Sequence, residues 1–284
     1  MTSPSELASH LLARLGMQGK PDIAQVAHRV GLRIVEVDAE AFDGSLVRAL
    51  DGPKGIVAVN RAIREASRKR FTIAHEIGHY LIPSHRNLEN VCTVGMIESW
   101  QNGLTGPEVE ANEFAVELLL PAGYVREPLR LHDPSFEAIG RVANQFETSL
   151  TATTLRFVTL TELLCVVVWS EANRARWYRR SDAFPFYLSK DILPCDGSLA
   201  YRLFEGGRVP DDFAEIPPEA WLDRRDAARV ARALEHSLRL PNYDAVLTLL
   251  WFQLRDFGGE EDDPPNLEEL DPEDFTLRRK RWPR

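Results

Sequence analysis

Cysteine is scarce. Three occur in 284 residues, Cys92, Cys165 and Cys195, odd in number and widely spaced, and no Cys-x-x-Cys pair exists. A structural zinc ribbon is thereby excluded and a disulfide framework is disfavoured, so a reducing, cytoplasmic setting is expected. Long apolar runs are missing too. The longest, "LLCVVVW" at 163–169, falls far short of the roughly 20 residues that span a bilayer, and no membrane partner is expected. The opening "MTSPSELASHLLARLG" lacks a basic segment ahead of an apolar one and does not read as a secretory signal. Positive charge is in deficit: 34 Lys and Arg face 43 Asp and Glu, a net charge of −9. Nothing global recommends nucleic acid as a partner. No glycine-rich phosphate loop and no internal repeat are found.

What is present centres on "FTIAHEIGHYLIPSH", residues 71–85. Its apolar positions recur at helical spacing and Pro83 ends the run, which predicts a helix over about 62–82. His75 and His79 then project from one face, one turn apart, where two imidazoles can share a divalent ion. Glu76 is rotated by about 100° and points away from direct ligation, yet it reaches a water beside the ion. This H-e-x-x-H arrangement, His75-Glu76-x-x-His79, is that of a zinc hydrolase with the glutamate as general base.

A catalytic zinc usually takes a third protein ligand. The helix expected at 107–120, "PEVEANEFAVELLL", offers Glu108, Glu110, Glu113 and Glu117. Glu110 lies four residues before Phe114 and eight before Leu118, on the apolar stripe, and is preferred to Glu108 and Glu117; Glu113 falls on the far face. Asn112 suits the role of orienting a ligand histidine. His85 reads either as a surface histidine or as a group polarising the scissile carbonyl. Cys92 reads as an inert small side chain, with zinc's fourth position as the alternative.

The remaining chain reads as α+β. Short helices are expected at 5–15 and 22–30, and strands at 32–38, 44–50 and 55–60, the last beside the metal helix and suited to strand addition. Residues 83–106 read as an irregular loop with a short helix near "MIESW". Residues 133–160 resemble a helix-turn-helix, in which Thr151, Thr153, Thr154 and Arg156 are the few candidates for contacts to DNA. The sparse basic charge of this unit favours structural use, and direct DNA binding is not expected. Strands follow at 163–170, 175–180 and 184–189, then a helix at 226–238 and an apolar run at 243–254. Four parts result: 1–125 with the metal site, a helical segment at 126–161, a small α+β unit at 162–257 and an acidic tail at 258–284. Residues 258–276 hold nine carboxylates and no base. The 162–257 unit is expected to sense or to position substrate, and a chain ending near 160 to keep the metal chemistry.

"FTIAHEIGHYLI" together with "EVEANEFAVELLLP" resembles the ImmA/IrrE family of zinc metallopeptidases over roughly residues 20–125. There a helical H-E-x-x-H is followed by E-A-N-x-F-A-x-x-L-L-x-P, here Glu110, Ala111, Asn112, Phe114, Ala115, Leu118, Leu119 and Pro121. The resemblance implies a zincin-like (minimal gluzincin) domain with a small sheet and a metal-binding helix. It also implies Glu110 as third ligand, zinc as cofactor with manganese as the alternative, and a helix-turn-helix transcriptional repressor as substrate, cleaved to relieve repression in a stress response or mobile element. Some members continue into a helix-turn-helix and a sensor-like domain, and the layout here looks similar. The competing reading is a regulatory binding protein or toxin–antitoxin component with a non-catalytic metal site; an intact Glu76 argues against it.

Overall fold

The computed structural model describes residues 2–49, 52–86, 91–92, 106–188 and 196–255. The expected helix near "MIESW", the acidic tail and Cys195 lie outside the described residues, and so does the side chain of Cys92. Helix α1 (Pro4–Leu15) opens on a capping box: Ser3 Oγ accepts from the Glu6 amide while the Glu6 carboxylate accepts from the Ser3 amide. After α2 (Ile23–Arg29) come β1 (Leu32–Val37), β2 (Gly44–Arg48), β3 (Gly55–Asn60) and β4 (Val91–Cys92), in the order β1-β3-β2-β4. β3 runs parallel to β1 and antiparallel to β2, so both its edges are paired. Strand addition at 55–60, as expected from sequence, therefore has no free edge to use.

Helix α3 (Ala66–Leu81) packs on this sheet, and α4 (Pro107–Leu119) packs on α3. Val57 and Val59 of β3, Ala74 and Ile77 of α3, and Phe114, Ala115 and Leu118 of α4 share one core with α1 and α2. Gly78 permits the α3–α4 approach. A Cβ there would lie 3.1 Å from the Phe114 ring and 3.3 Å from the backbone of Ala111, closer than side chains normally pack.

The short α5 (Ala122–Val125) leads to α6 (Phe136–Phe146) and α7 (Leu150–Leu160). Ser149 caps α7 after a left-handed Glu147, so the expected helical pair is present. Its second helix is committed to the interior. Thr153 and Thr154 are fully buried, and Arg156 pairs with Glu117 and donates to the Leu120 carbonyl. The second sheet, of order β6-β5-β9-β8-β7, is built from β5 (Leu164–Glu171), β6 (Arg174–Arg180), β7 (Ala214–Ile216), β8 (Val230–Leu240) and β9 (Ala245–Leu254), with α8 (Leu199–Phe204) and α9 (Arg224–Ala227) between them.

Two expectations fail here. Residues 226–238 were expected to be helical from their Ala, Arg, Leu and Glu content, but most of this stretch is β8, antiparallel to β9 along nearly its whole length. Tertiary pairing with an apolar neighbour outweighs a weak local preference. Residues 184–188 form no strand; they run irregularly and bury Phe184, Phe186 and Leu188. Among the described residues, no helix is long and apolar enough to cross a membrane.

Candidate metal centre

The site is assembled from α3 and α4. His75, Glu76 and His79 are all fully buried in α3. Charged and ring nitrogen groups in such surroundings require partners, and the two imidazoles have them. His75 Nδ1 lies 2.9 Å from Asn112 Oδ1 on α4. The amide oxygen can only accept, so His75 Nδ1 carries the proton and leaves its Nε2 lone pair free.

A longer chain serves His79. Its Nδ1 lies 3.0 Å from His85 Nδ1, and His85 Nε2 lies 3.0 Å from Glu110 Oε2. The carboxylate accepts from His85 Nε2–H. His85 Nδ1 then accepts from His79 Nδ1–H, and His79 Nε2 is also left as a lone pair. Burial draws the His85 imidazole below its ordinary value and His79 adds to this, while Glu110 opposes both; a neutral His85 is what the chain of bonds requires.

The two free Nε2 atoms face each other at 3.0 Å, and a carboxylate closes the triangle. It belongs to Glu108. Its Oε2 lies 3.1 Å from His75 Nε2 and its Oε1 3.4 Å from His79 Nε2. His75, His79 and Glu108 form the one group of three potential ligands found among the described residues. Donors about 2.0–2.1 Å from a tetrahedral zinc sit roughly 3.3 Å from one another, close to the three separations seen. Residues and spacing both fit the ion.

The expected third ligand, Glu110, is placed elsewhere. Two residues along α4 turn a side chain by about 200°, so Glu108 and Glu110 cannot face the same point; Glu110 turns to His85. The apolar stripe through Phe114 and Leu118 faces the core instead of the imidazoles. The signal missed in the sequence was the four-residue spacing of Glu108 and Asn112. It repeats on α4 the spacing of His75 and His79 on α3, and sets ligand and orienting group on one face. His85 is neither on the surface nor loose: it is buried behind His79. Glu113 is exposed, as expected, and Glu117 is spent on Arg156, Ser9 and the Ala122 amide.

Glu76 lies one residue past His75 and against the start of β2. A Cβ on Gly44 would come within 2.8 Å of Glu76 Oε1 and 2.5 Å of Thr72 Cγ2. The missing side chain of Gly44 is the space Glu76 occupies.

Residues 27–157 match the family model of the IrrE N-terminal-like domain, peptidase M78. None of the curated proteins matches the chain. The matched span runs from the end of α2 through most of α7 and includes every residue of the cluster just described. Residues 27–157 thus carry an IrrE N-terminal-like domain of the peptidase M78 type.

Proposed function

We propose that the chain is a cytoplasmic, zinc-dependent endopeptidase that cleaves a helix-turn-helix transcriptional repressor and so relieves repression. The observation that carries the hydrolytic reading is the triangle of buried His75 and His79 with half-buried Glu108, and Glu76 on the adjoining helix position. In this reading Glu108, rather than Glu110, completes the ligand set, and manganese is the alternative ion. When bound, the metal supplies the Lewis acidity that makes water nucleophilic near neutral pH and polarises a peptide carbonyl.

The chain's own residues do the rest. Asn112 and the Glu110–His85 pair fix the tautomers of His75 and His79, so that both Nε2 lone pairs are presented without reorganisation. Glu76 takes a proton from the attacking water and returns it to the leaving amine, which closes the proton balance of peptide hydrolysis. The choice of a repressor as substrate rests on the family resemblance of the two motifs.

Glu76→Gln tests the mechanism. The variant is expected to hold metal as the wild type does and to lose cleavage by about 10²–10⁴-fold, read by incubating it with a purified helix-turn-helix repressor encoded beside its gene, in zinc and in manganese. Undiminished cleavage by Glu76→Gln would remove the general base. Metal retention with no cleavage of such repressors by the wild type would favour the regulatory, non-catalytic reading.

A further inference from the structure

The described residues hold a concave site at the C-terminal end of α3, lined by none of the three candidate metal ligands. It is a cavity of about 570 Å³ whose charged lining residues are Arg14, Arg29, Arg48, Lys54 and Arg86, and Tyr80 forms part of its wall. None of the described residues that line it is acidic. The cations come from the last turns of α1 and α2, the end of β2, the β2–β3 turn and the segment after α3. In a chain of net charge −9, five converging cations call for a reason.

The bland reason is that arginines at helix C-termini offset the helix dipole, and it is too small. Each helix end carries roughly half a negative charge, and the ends of α1, α2 and α3 together supply roughly one and a half. Among the described residues the balance stays at roughly three positive charges. Ion pairs do not absorb it either. Among the described residues none of the five makes an ion pair, whereas Arg61, Arg68 and Arg70 of the same part of the chain do.

Arg48 is the most constrained of them. Its two Nη atoms donate to the carbonyls of Tyr80 at 3.1 Å and His79 at 2.5 Å, and its guanidinium lies 5.0 Å over the Tyr80 ring. Its Nε is buried without a hydrogen-bond partner. Burial lowers its affinity for the proton, Tyr80 opposes this, and Arg86 adds like-charge repulsion.

We infer that this cavity binds a small anion carrying two or more phosphoryl groups. Its volume lies in the range of small-molecule sites, roughly 300–1,000 Å³. Arginine forks match phosphoryl oxygens two at a time, and a single negative charge would leave most of the cavity's charge uncompensated. A concave site suits a compact ligand better than a long nucleic acid, and the net charge of the chain repels a long polyanion. Because Arg48 holds the carbonyl of His79, an anion that engages Arg48 sits one side chain away from the metal-bearing turn of α3.

The test is calorimetric titration of the full chain with inorganic pyrophosphate and, separately, with ATP. Expected is saturable binding of one equivalent that weakens with added salt. The double variant Arg14→Glu/Arg29→Glu, altered at exposed positions, is expected to weaken it by at least about tenfold. Lys54→Glu in the β2–β3 turn is expected to weaken it too, and keeps the test decisive if the double variant misfolds. Absence of saturable binding by both probes overturns the inference, and so does binding that neither variant changes. Tighter binding of a single-stranded oligonucleotide, lost in the same variants, would assign the cavity to nucleic acid and equally overturn it.

Discussion

Glu108 and Glu110 are neighbours on one helix that hold different things, and this separates their substitutions. Glu108→Ala is expected to leave the site with two protein ligands and metal content far below one equivalent. Glu110→Ala and His85→Ala are expected to keep the metal but bind it about 10–100-fold more weakly, since they lose only the orientation of His79. Metal analysis and titration with a competing chelator distinguish these; the reverse ranking would return ligation to Glu110. A second carboxylate outside the site makes a pH prediction. Glu235 is fully buried and accepts from the Ala200 amide, Trp221 Nε1 and Ser237 Oγ. Burial pushes its carboxyl up, against the lowering pull of those bonds. A folded-state value above the unfolded one means that the folded protein holds the proton more tightly. Its stabilising effect is full below the unfolded value and is lost as pH rises through the folded one. Glu235→Gln should therefore gain stability relative to wild type as pH rises from about 4 to 8, read by thermal melts. A difference that is flat or shrinks with pH contradicts this.

At the scale of elements, two glycines set distances that the chemistry needs. Gly78→Ala places a methyl 3.3 Å from the Ala111 backbone, which can yield only if α4 moves. A cost of about 1–3 kcal/mol is expected, together with weaker metal binding, because Glu108 and Asn112 ride on α4. Gly44→Ala meets Thr72 and Glu76 instead. Cleavage should fall while metal binding persists, as measured by activity and metal content on the same preparation. Loss of metal in Gly44→Ala would mean that the disturbance reaches His75.

At the scale of the molecule, the helical pair faces two ways. Phe136, Ile139, Phe146, Leu155 and Phe157 of α6 and α7 share a core with Cys165 and Val167 of β5 and with Leu247 and Leu249 of β9. The expectation that a chain ending near 160 keeps its metal chemistry meets this seam. Such a truncation strips one wall from five large apolar side chains. It is expected to lose a cooperative thermal transition, or to aggregate, where the full chain melts as one. A stable, cooperative truncated protein would show that the seam contributes little.

Much of this molecule is local, and the local part was legible. The H-e-x-x-H stretch, its stop at Pro83, the helix beginning at Pro107 and strands β1 to β3 each depend on the spacing of residues within one element, and periodicity reports that spacing directly. The α6–α7 pair with its serine cap belongs to the same class. What the tertiary structure decided is everything set between elements. Residues 230–240 became a strand because β9 was there to pair with, against their own helical preference. Glu108 rather than Glu110 reached the imidazoles because the azimuth of α4 about its axis is set by packing at Gly78 and Phe114, which no stripe drawn on α4 alone contains. His85 turned inward to His79, and five cations distant in sequence met at one cavity, for the same reason: burial and charge are properties of positions in space, and only the fold assigns those positions.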